Sequence, residues 1–221
     1  MRVLKLAVLG TAVTLGGAAA QGHDHDPDAA VAGGGHIVEG WMVRTDRNEP
    51  LDNVNFRMEG ADYRVTVGPA VVLYREGDRS SGQYEVSGTF TQMSSLGHAH
   101  SYGLILGGSD LQGAGQAYTY FVVRGDGVYL LKKRDGDNLT VLTQGGDRAG
   151  YVAHEAIHSE NSEGVGTNEL AIRVGANDVQ FLVNGTVVIT TPKSQVHTDG
   201  IAGVRINHNL DIRIESFTLE R

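Results

Sequence analysis

The stretch Tyr118-Thr119-Tyr120-Phe121-Val122-Val123-Arg124-Gly125-Asp126-Gly127-Val128-Tyr129-Leu130-Leu131-Lys132 decides the fold. Its two apolar runs are separated by glycine and aspartate, residues that turn a chain at little steric cost. Successive side chains of an extended backbone point to opposite faces, so Tyr118 and Tyr120 share one face and Phe121 lies on the other. The stretch reads as two strands joined by a tight turn.

The same grammar extends in both directions. Tyr63, Val65 and Val67 alternate with Arg64 and Thr66; Tyr84, Val86, Gly88 and Phe90 alternate with Glu85, Ser87 and Thr89. Tyr102, Leu104 and Leu106 share a face, as do Leu170, Ile172 and Val174, and Leu210, Ile212 and Ile214. Asp135-Gly136-Asp137-Asn138 separates one pair of runs, and Asn184-Gly185 separates Val179–Val183 from Thr186–Thr191, the strongest short hairpin signal a sequence offers. From Ile37 onward this gives about a dozen strands at a spacing near 8–12 residues, the signature of a β-sandwich or barrel. No segment keeps a 3.6-residue period over three turns. The expectation is an all-β, two-sheet antiparallel sandwich.

The first 20 residues differ in kind. Arg2 and Lys5 precede an apolar run, Leu6 to Leu15, and Gly16 to Ala20 supplies small residues for cleavage. This is the composition of a secretory signal peptide, and the run is shorter than the roughly 20 residues a membrane span needs. Gln21 to Gly35 is polar and small and reads as a flexible linker, leaving residues 36–221 as the sandwich domain. The expected location is extracytoplasmic, either periplasmic or secreted. Without Arg2 and Lys5 the chain carries 16 basic and 26 acidic residues, a net charge of −10 with histidine neutral, which speaks against a nucleic-acid partner. It has no cysteine, which excludes disulfides, thiol nucleophiles and Cys-ligated zinc. Glycine, at 31 residues of 221, is about twice its usual share, as many tight turns require.

Tyr102-Gly-Leu-Ile-Leu-Gly-Gly, the opening stretch, Val179-Gln-Phe-Leu-Val-Asn-Gly-Thr-Val-Val, Gly200-Ile-Ala-Gly-Val-Arg-Ile and the last strand Leu210–Leu219 together resemble bacterial concanavalin A-like jelly rolls. That group includes laminin-G-like domains and the 3-keto-disaccharide hydrolase-like domains related to family 16 glycosidases. The resemblance covers roughly Val38 to Arg221. It implies a jelly roll of two stacked sheets, one concave, with any ligand on the concave face. Catalytic family 16 members carry Glu-x-Asp-x-x-Glu on a strand, and nothing in this chain matches it.

Several groups of residues could carry chemistry. His98, His100 and Tyr102 alternate at the head of a strand, and His208 sits in Asn207-His208-Asn209 before the last one; imidazoles there could bind sugar hydroxyls. Tyr118 and Tyr120, flanked by Asp110 and Gln116, supply the aromatic and planar polar groups that sugar sites use. His154-Glu155-Ala156-Ile157-His158 spells the H-E-x-x-H of zinc peptidases, whose ligands share a face only on a helix. This stretch lies between glycine-bounded loops, so a loop or single turn is the expected context. No cofactor is expected; the alternatives are zinc at His154 and His158 or calcium at Asp135, Asp137 and Asn138.

The leading expectation is therefore an exported, non-catalytic module that binds carbohydrate or another extracellular macromolecule through its concave sheet. Two others stand beside it. One is a glycoside hydrolase whose acids come from separate strands. The other is an envelope or extracellular-filament structural protein that self-associates through edge strands and the Gln21–Gly35 arm.

Overall fold

The computed structural model describes residues 28–94 and 99–221. Residues 1–27, which hold the expected signal peptide and most of the expected linker, and residues 95–98, which include His98, lie outside the described residues.

Among the described residues fifteen strands form, every pair antiparallel. The first sheet is built from β1 (Met42–Thr45), β4 (Val71–Ser80), β14 (Gly200–Ile206), β6 (Ser101–Ser109), β7 (Ala117–Arg124), β8 (Val128–Asp135) and β10 (Val152–Ala153), in that order, with β9 (Asn138–Val141) also paired to β8. The second follows the order β13 (Thr186–Pro192), β12 (Asp178–Val183), β11 (Gly166–Val174), β5 (Tyr84–Gln92), β15 (Leu210–Glu220), β3 (Asp62–Val67) and β2 (Val54–Glu59). The chain crosses repeatedly between the sheets, and strands distant in sequence, such as β4 and β14, become neighbours. This is a jelly-roll sandwich.

The alternation read in the sequence is what fills the space between the sheets. Phe56, Phe90, Leu104, Phe121, Leu131, Ile172, Phe181, Val204 and Ile212 all point inward and are fully buried. Phe121 packs against Phe181 across the sandwich at a centroid distance of 5.3 Å. Burying such side chains contributes about 1.5–3 kcal/mol each, which makes the inward rows the main source of stability.

The turns fall where glycine and asparagine announced them. β12 and β13 are joined by Asn184 (φ +49°) and Gly185 (φ +77°), the two left-handed residues that a hairpin of this twist demands. The arm departs from expectation. From Ala29 onward it is tied to the sandwich: the Ala29 N–H donates to Asn209 Oδ1 at 2.7 Å, the Gly35 N–H to the Val54 carbonyl at 2.9 Å, and His36 bridges Asn55. Side-chain amides of the domain supply the partners that a polar segment lacks within itself.

Candidate functional site

The inward rows leave a second set of side chains on the outer face of the first sheet. Val72 and Tyr74 of β4, Ile105 of β6, Tyr118, Tyr120 and Val122 of β7, Leu130 of β8 and Ile201 of β14 form a separate apolar cluster there. Register fixes the lateral rows: Tyr120 lies opposite Lys132 and Lys132 opposite Val141; Tyr118 lies opposite Arg134 and Arg134 opposite Leu139. Each row therefore runs from a tyrosine through a cation to an apolar residue on β9. Leu139 and Val141 are among the most exposed large apolar side chains described, at 51% and 43%.

Cations dominate the polar part of this face. Arg205 on β14 is almost entirely covered and grips Asp46 with both Nη atoms, Nη2 to Oδ2 at 2.6 Å. Its guanidinium lies 5.6 Å from the Tyr120 ring centroid. Burial disfavours the Asp46 charge, but Arg205, with Arg134 and Arg44 farther off, outweighs it and holds the carboxyl below its ordinary value. Burial lowers the Lys132 pKa, and Arg205 nearby lowers it further. Arg124 stands over the Tyr151 ring at 4.2 Å and pairs with Asp126 at 2.7 Å. Arg44 donates from Nη1 to the Gln112 and Gly113 carbonyls of the β6–β7 loop, while the Gln112 amide donates to the Tyr74 hydroxyl at 3.0 Å. That loop thus reaches across the face to the edge strand β1.

The residues singled out in the sequence are placed apart by the fold. Tyr118 and Tyr120 are on the outer face, as the alternation required, yet they are 1% and 8% exposed and form its floor. Gln116 and Asp110 shape the loop beside them: Gln116 is buried and its carbonyl accepts the Gly136 N–H, and Asp110 Oδ2 accepts the Gly115 N–H at 3.0 Å. Tyr102 corrects the reading. It faces the interior between the sheets, 1% exposed, with its hydroxyl accepting from the Asn168 amide at 3.3 Å, because it is even-numbered on a strand whose odd positions, Gly103 and Ile105, point outward.

His100 and His208 meet at one end of the sandwich, their ring centroids 4.1 Å apart. His208 Nδ1 is 3.4 Å from Asp28 Oδ1. His208 also lines a cavity of about 230 Å³ together with Asp28, Asp46, Arg47, Glu49 and Asn207. Asp46 borders both this cavity and the cationic face.

His154 to His158 forms a turn closed by the Ile157 N–H on the His154 carbonyl at 3.1 Å. His154 Nδ1 accepts the Ala156 N–H at 3.1 Å and His158 Nδ1 lies 3.2 Å from the Thr167 carbonyl. With no helix the two imidazoles do not share the face that the zinc motif needs, and among the described residues no three His, Asp or Glu side chains gather as a metal site. The turn is held by two asparagines that sequence reasoning missed. Asn168, 1% exposed, accepts the His158 N–H and donates to the His158 carbonyl, and Asn184 donates to the Ala156 carbonyl. Asp135 and Asp137 flank a hairpin turn, where Asp135 pairs with His197 at 2.6 Å and Lys133 at 3.4 Å.

Arg44, Asp46, Lys132, Arg134 and Arg205 were also missed. For Lys132 and Arg134 a signal existed: both continue the outward parity of Leu130 opposite Tyr118 and Tyr120. For Arg44, Asp46 and Arg205 none did, since β1, β4 and β14 are brought together only by the crossovers.

Among solved structures the chain superposes on the carbohydrate binding module CBM66 from Bacillus subtilis with a TM-score of 0.59, at 11% identity over 82% of this chain and 96% of that one. A Bacillus subtilis protein of unknown function with a galectin-like fold gives 0.57 at 10% identity, over 81% and 88%. A glycoside hydrolase family 16 endo-glucanase from Bacteroides ovatus gives 0.56 at 9% identity, over 84% and 97%. The fold is a concanavalin A-like jelly roll. No protein-family model and no curated protein matches the chain. Similarity at this identity extends to the fold alone, and the site must be argued on its own residues.

Proposed function

We propose that this concanavalin A-like jelly roll is an exported, non-catalytic carbohydrate-binding module that takes its ligand on the outer face of β7, β8 and β9. The observation that carries the reading is the pair of rows Tyr120–Lys132–Val141 and Tyr118–Arg134–Leu139. They set hydrogen-bond donors beside exposed apolar surface on a floor that buried tyrosines keep rigid. Sugars present hydroxyls on one side and C–H groups on the other, and such a strip can answer both. Export is supported by the composition of residues 1–20, and the likeness to a carbohydrate-binding module agrees with the ligand class.

A hydrolase would need two facing carboxyls about 5–9.5 Å apart. The outward positions of β6 and β7 carry Gly103, Ile105, Tyr118, Tyr120, Val122 and Arg124, and those of β8 carry Val128, Leu130, Lys132 and Arg134. None is an acid, and Asp46 at the edge is committed to Arg205. This favours binding without turnover.

The test is a glycan array probed with the protein and with Lys132→Ala/Arg134→Ala. Both side chains are partly exposed, so the fold should survive, as circular dichroism would check. We expect binding to a defined set of glycans and its loss in the double variant. An array without a single bound glycan, or binding that the double variant retains in full, would refute the proposal.

A further inference from the structure

The outer face carries more positive charge than its own acids balance, although the chain as a whole has a formal net charge of −8. Arg205 spends its charge on Asp46 and Arg124 on Asp126. Three further cations have no carboxylate within 4 Å among the described residues, although Arg44 and Arg134 act on Asp46 from farther off and Lys132 feels Asp147. Lys132 stands beside Arg205. Arg134 donates only its Nε, to the Gly136 carbonyl at 2.9 Å. Arg44 spends Nη1 on the Gln112 and Gly113 carbonyls. Elsewhere on the sandwich Arg57, Arg64, Arg75, Arg79, Arg173 and Arg213 each have an acid within 4 Å, while Lys193 and Arg221, single cations at partly or fully exposed positions, donate to backbone carbonyls.

Partly buried like charges repel, and a fold that holds them together without a counter-ion gives up stability. The depressed Lys132 pKa accompanies that crowding: burial is its first cause and Arg205 its second, and the Asp147 carboxylate offsets them only in part. Such an arrangement becomes favourable when a ligand brings the missing negative charge.

We infer that the ligand is an acidic polysaccharide whose sugar rings bear carboxylates, bound with those carboxylates on Lys132 and Arg134 and with C–H surface on Leu139 and Val141. The inference rests on the carbohydrate-binding reading and narrows it. The planar guanidinium of Arg134 keeps both Nη groups for a two-point grip on a carboxylate. Lys132 and Arg134 lie two residues apart on one strand, about 6.6–6.8 Å, so adjacent rows present two positive charges side by side. Val141 and Leu139 complete those rows as exposed apolar surface. A nucleic acid is also a polyanion, but single strands bind by stacking bases on open aromatic faces, and Tyr118 and Tyr120 are covered at 1% and 8% exposure.

Titration calorimetry of the full chain distinguishes these cases. The probes are polygalacturonate, alginate, the carboxyl-reduced neutral form of each, and poly-deoxythymidylate. We expect at least one polyuronate to bind and its reduced form to bind roughly tenfold more weakly or worse, as loss of a charge-assisted contact implies. Lys132→Gln and Arg134→Gln keep hydrogen-bonding capacity and remove charge; each should weaken polyuronate binding by about the same factor and flatten its salt dependence. Arg57→Gln, a partly exposed cation on β2 of the other sheet, should change nothing. Equal binding of polyuronate and reduced polymer, or of poly-deoxythymidylate, would overturn the acidic-ligand inference while leaving the carbohydrate reading to the array. Polyuronate binding indifferent to both Gln variants would overturn it too. Failure of every polysaccharide here, joined to an empty array, would remove both.

Discussion

Asp46 and Arg205 illustrate what one residue can decide. Arg205 is 6% exposed, and an isolated buried guanidinium would be costly; the two-point grip on Asp46 makes it tolerable. Removing one partner of such a pair strands the other, at a cost of about 3–5 kcal/mol. Asp46→Ala should therefore lower the unfolding free energy by about that amount, measured in urea, with Asp46→Asn intermediate. The same pair sets an acid limit. The Asp46 carboxyl titrates below its ordinary 3.8 in the folded state because the arginines outweigh burial. A group with a depressed folded value stabilises fully above its unfolded pKa and loses that contribution as pH falls through the folded one. Stability should thus decline below about pH 4, and denaturant midpoints in Asp46→Asn should fall less steeply there. Asn168 is a second such residue, since its one amide engages both backbone groups of His158, the Tyr102 hydroxyl and Asn184. Asn168→Ala should cost about 1–3 kcal/mol and loosen the 154–158 turn, visible as faster amide exchange.

At the scale of strands and turns, glycine does two different jobs. Gly185 sits at φ +77° with open space where a Cβ would go, so only backbone strain resists substitution. Gly103 on β6 sits where a Cβ would come within 2.2 Å of the Phe121 carbonyl oxygen on β7, so the close approach of two central strands depends on it. Gly185→Ala should lower the thermal midpoint modestly, for about 1 kcal/mol. Gly103→Ala should cost clearly more, since backbone must move, and it should disturb the Tyr118–Tyr120 floor as well. The hairpin at Asn184-Gly185 was legible because its turn chemistry is local. The His154–His158 motif shows the opposite: its letters match a metal-binding pattern, but letters carry no helix, and here Asn168 and Asn184 hold the segment as a turn.

For the molecule as a whole, the distribution of charge matters more than its sum. A net charge of −10 without the first 20 residues, from 16 basic and 26 acidic groups, argued against a nucleic-acid partner when taken alone. The fold gathers Arg44, Arg124, Lys132, Arg134 and Arg205 on one face, drawing on four strands scattered from residue 44 to residue 205. Partly exposed charges are screened within about 8–10 Å at physiological salt. Ligand binding on this face should therefore weaken as salt rises, whereas the Asp46–Arg205 pair, whose guanidinium is buried and whose carboxylate is only partly exposed, should respond less; calorimetry and urea melts at 50 and 500 mM sodium chloride would separate the two.

The amino-acid order by itself determined the all-β class, the position of most turns, and the face on which each strand residue points, since a period of two and the conformational limits of glycine and asparagine are local properties. It placed Tyr118, Tyr120 and Phe121 correctly with respect to one another. It did not tell which face of β6 meets the other sheet, and so Tyr102 was assigned to the ligand side when it belongs to the interior. Nor could it assemble Arg44, Asp46, Lys132, Arg134 and Arg205. Their meeting is a product of strand order, which depends on long-range pairing of β1, β4 and β14 across well over a hundred residues of chain, and only the folded sheet brings those positions within electrostatic reach.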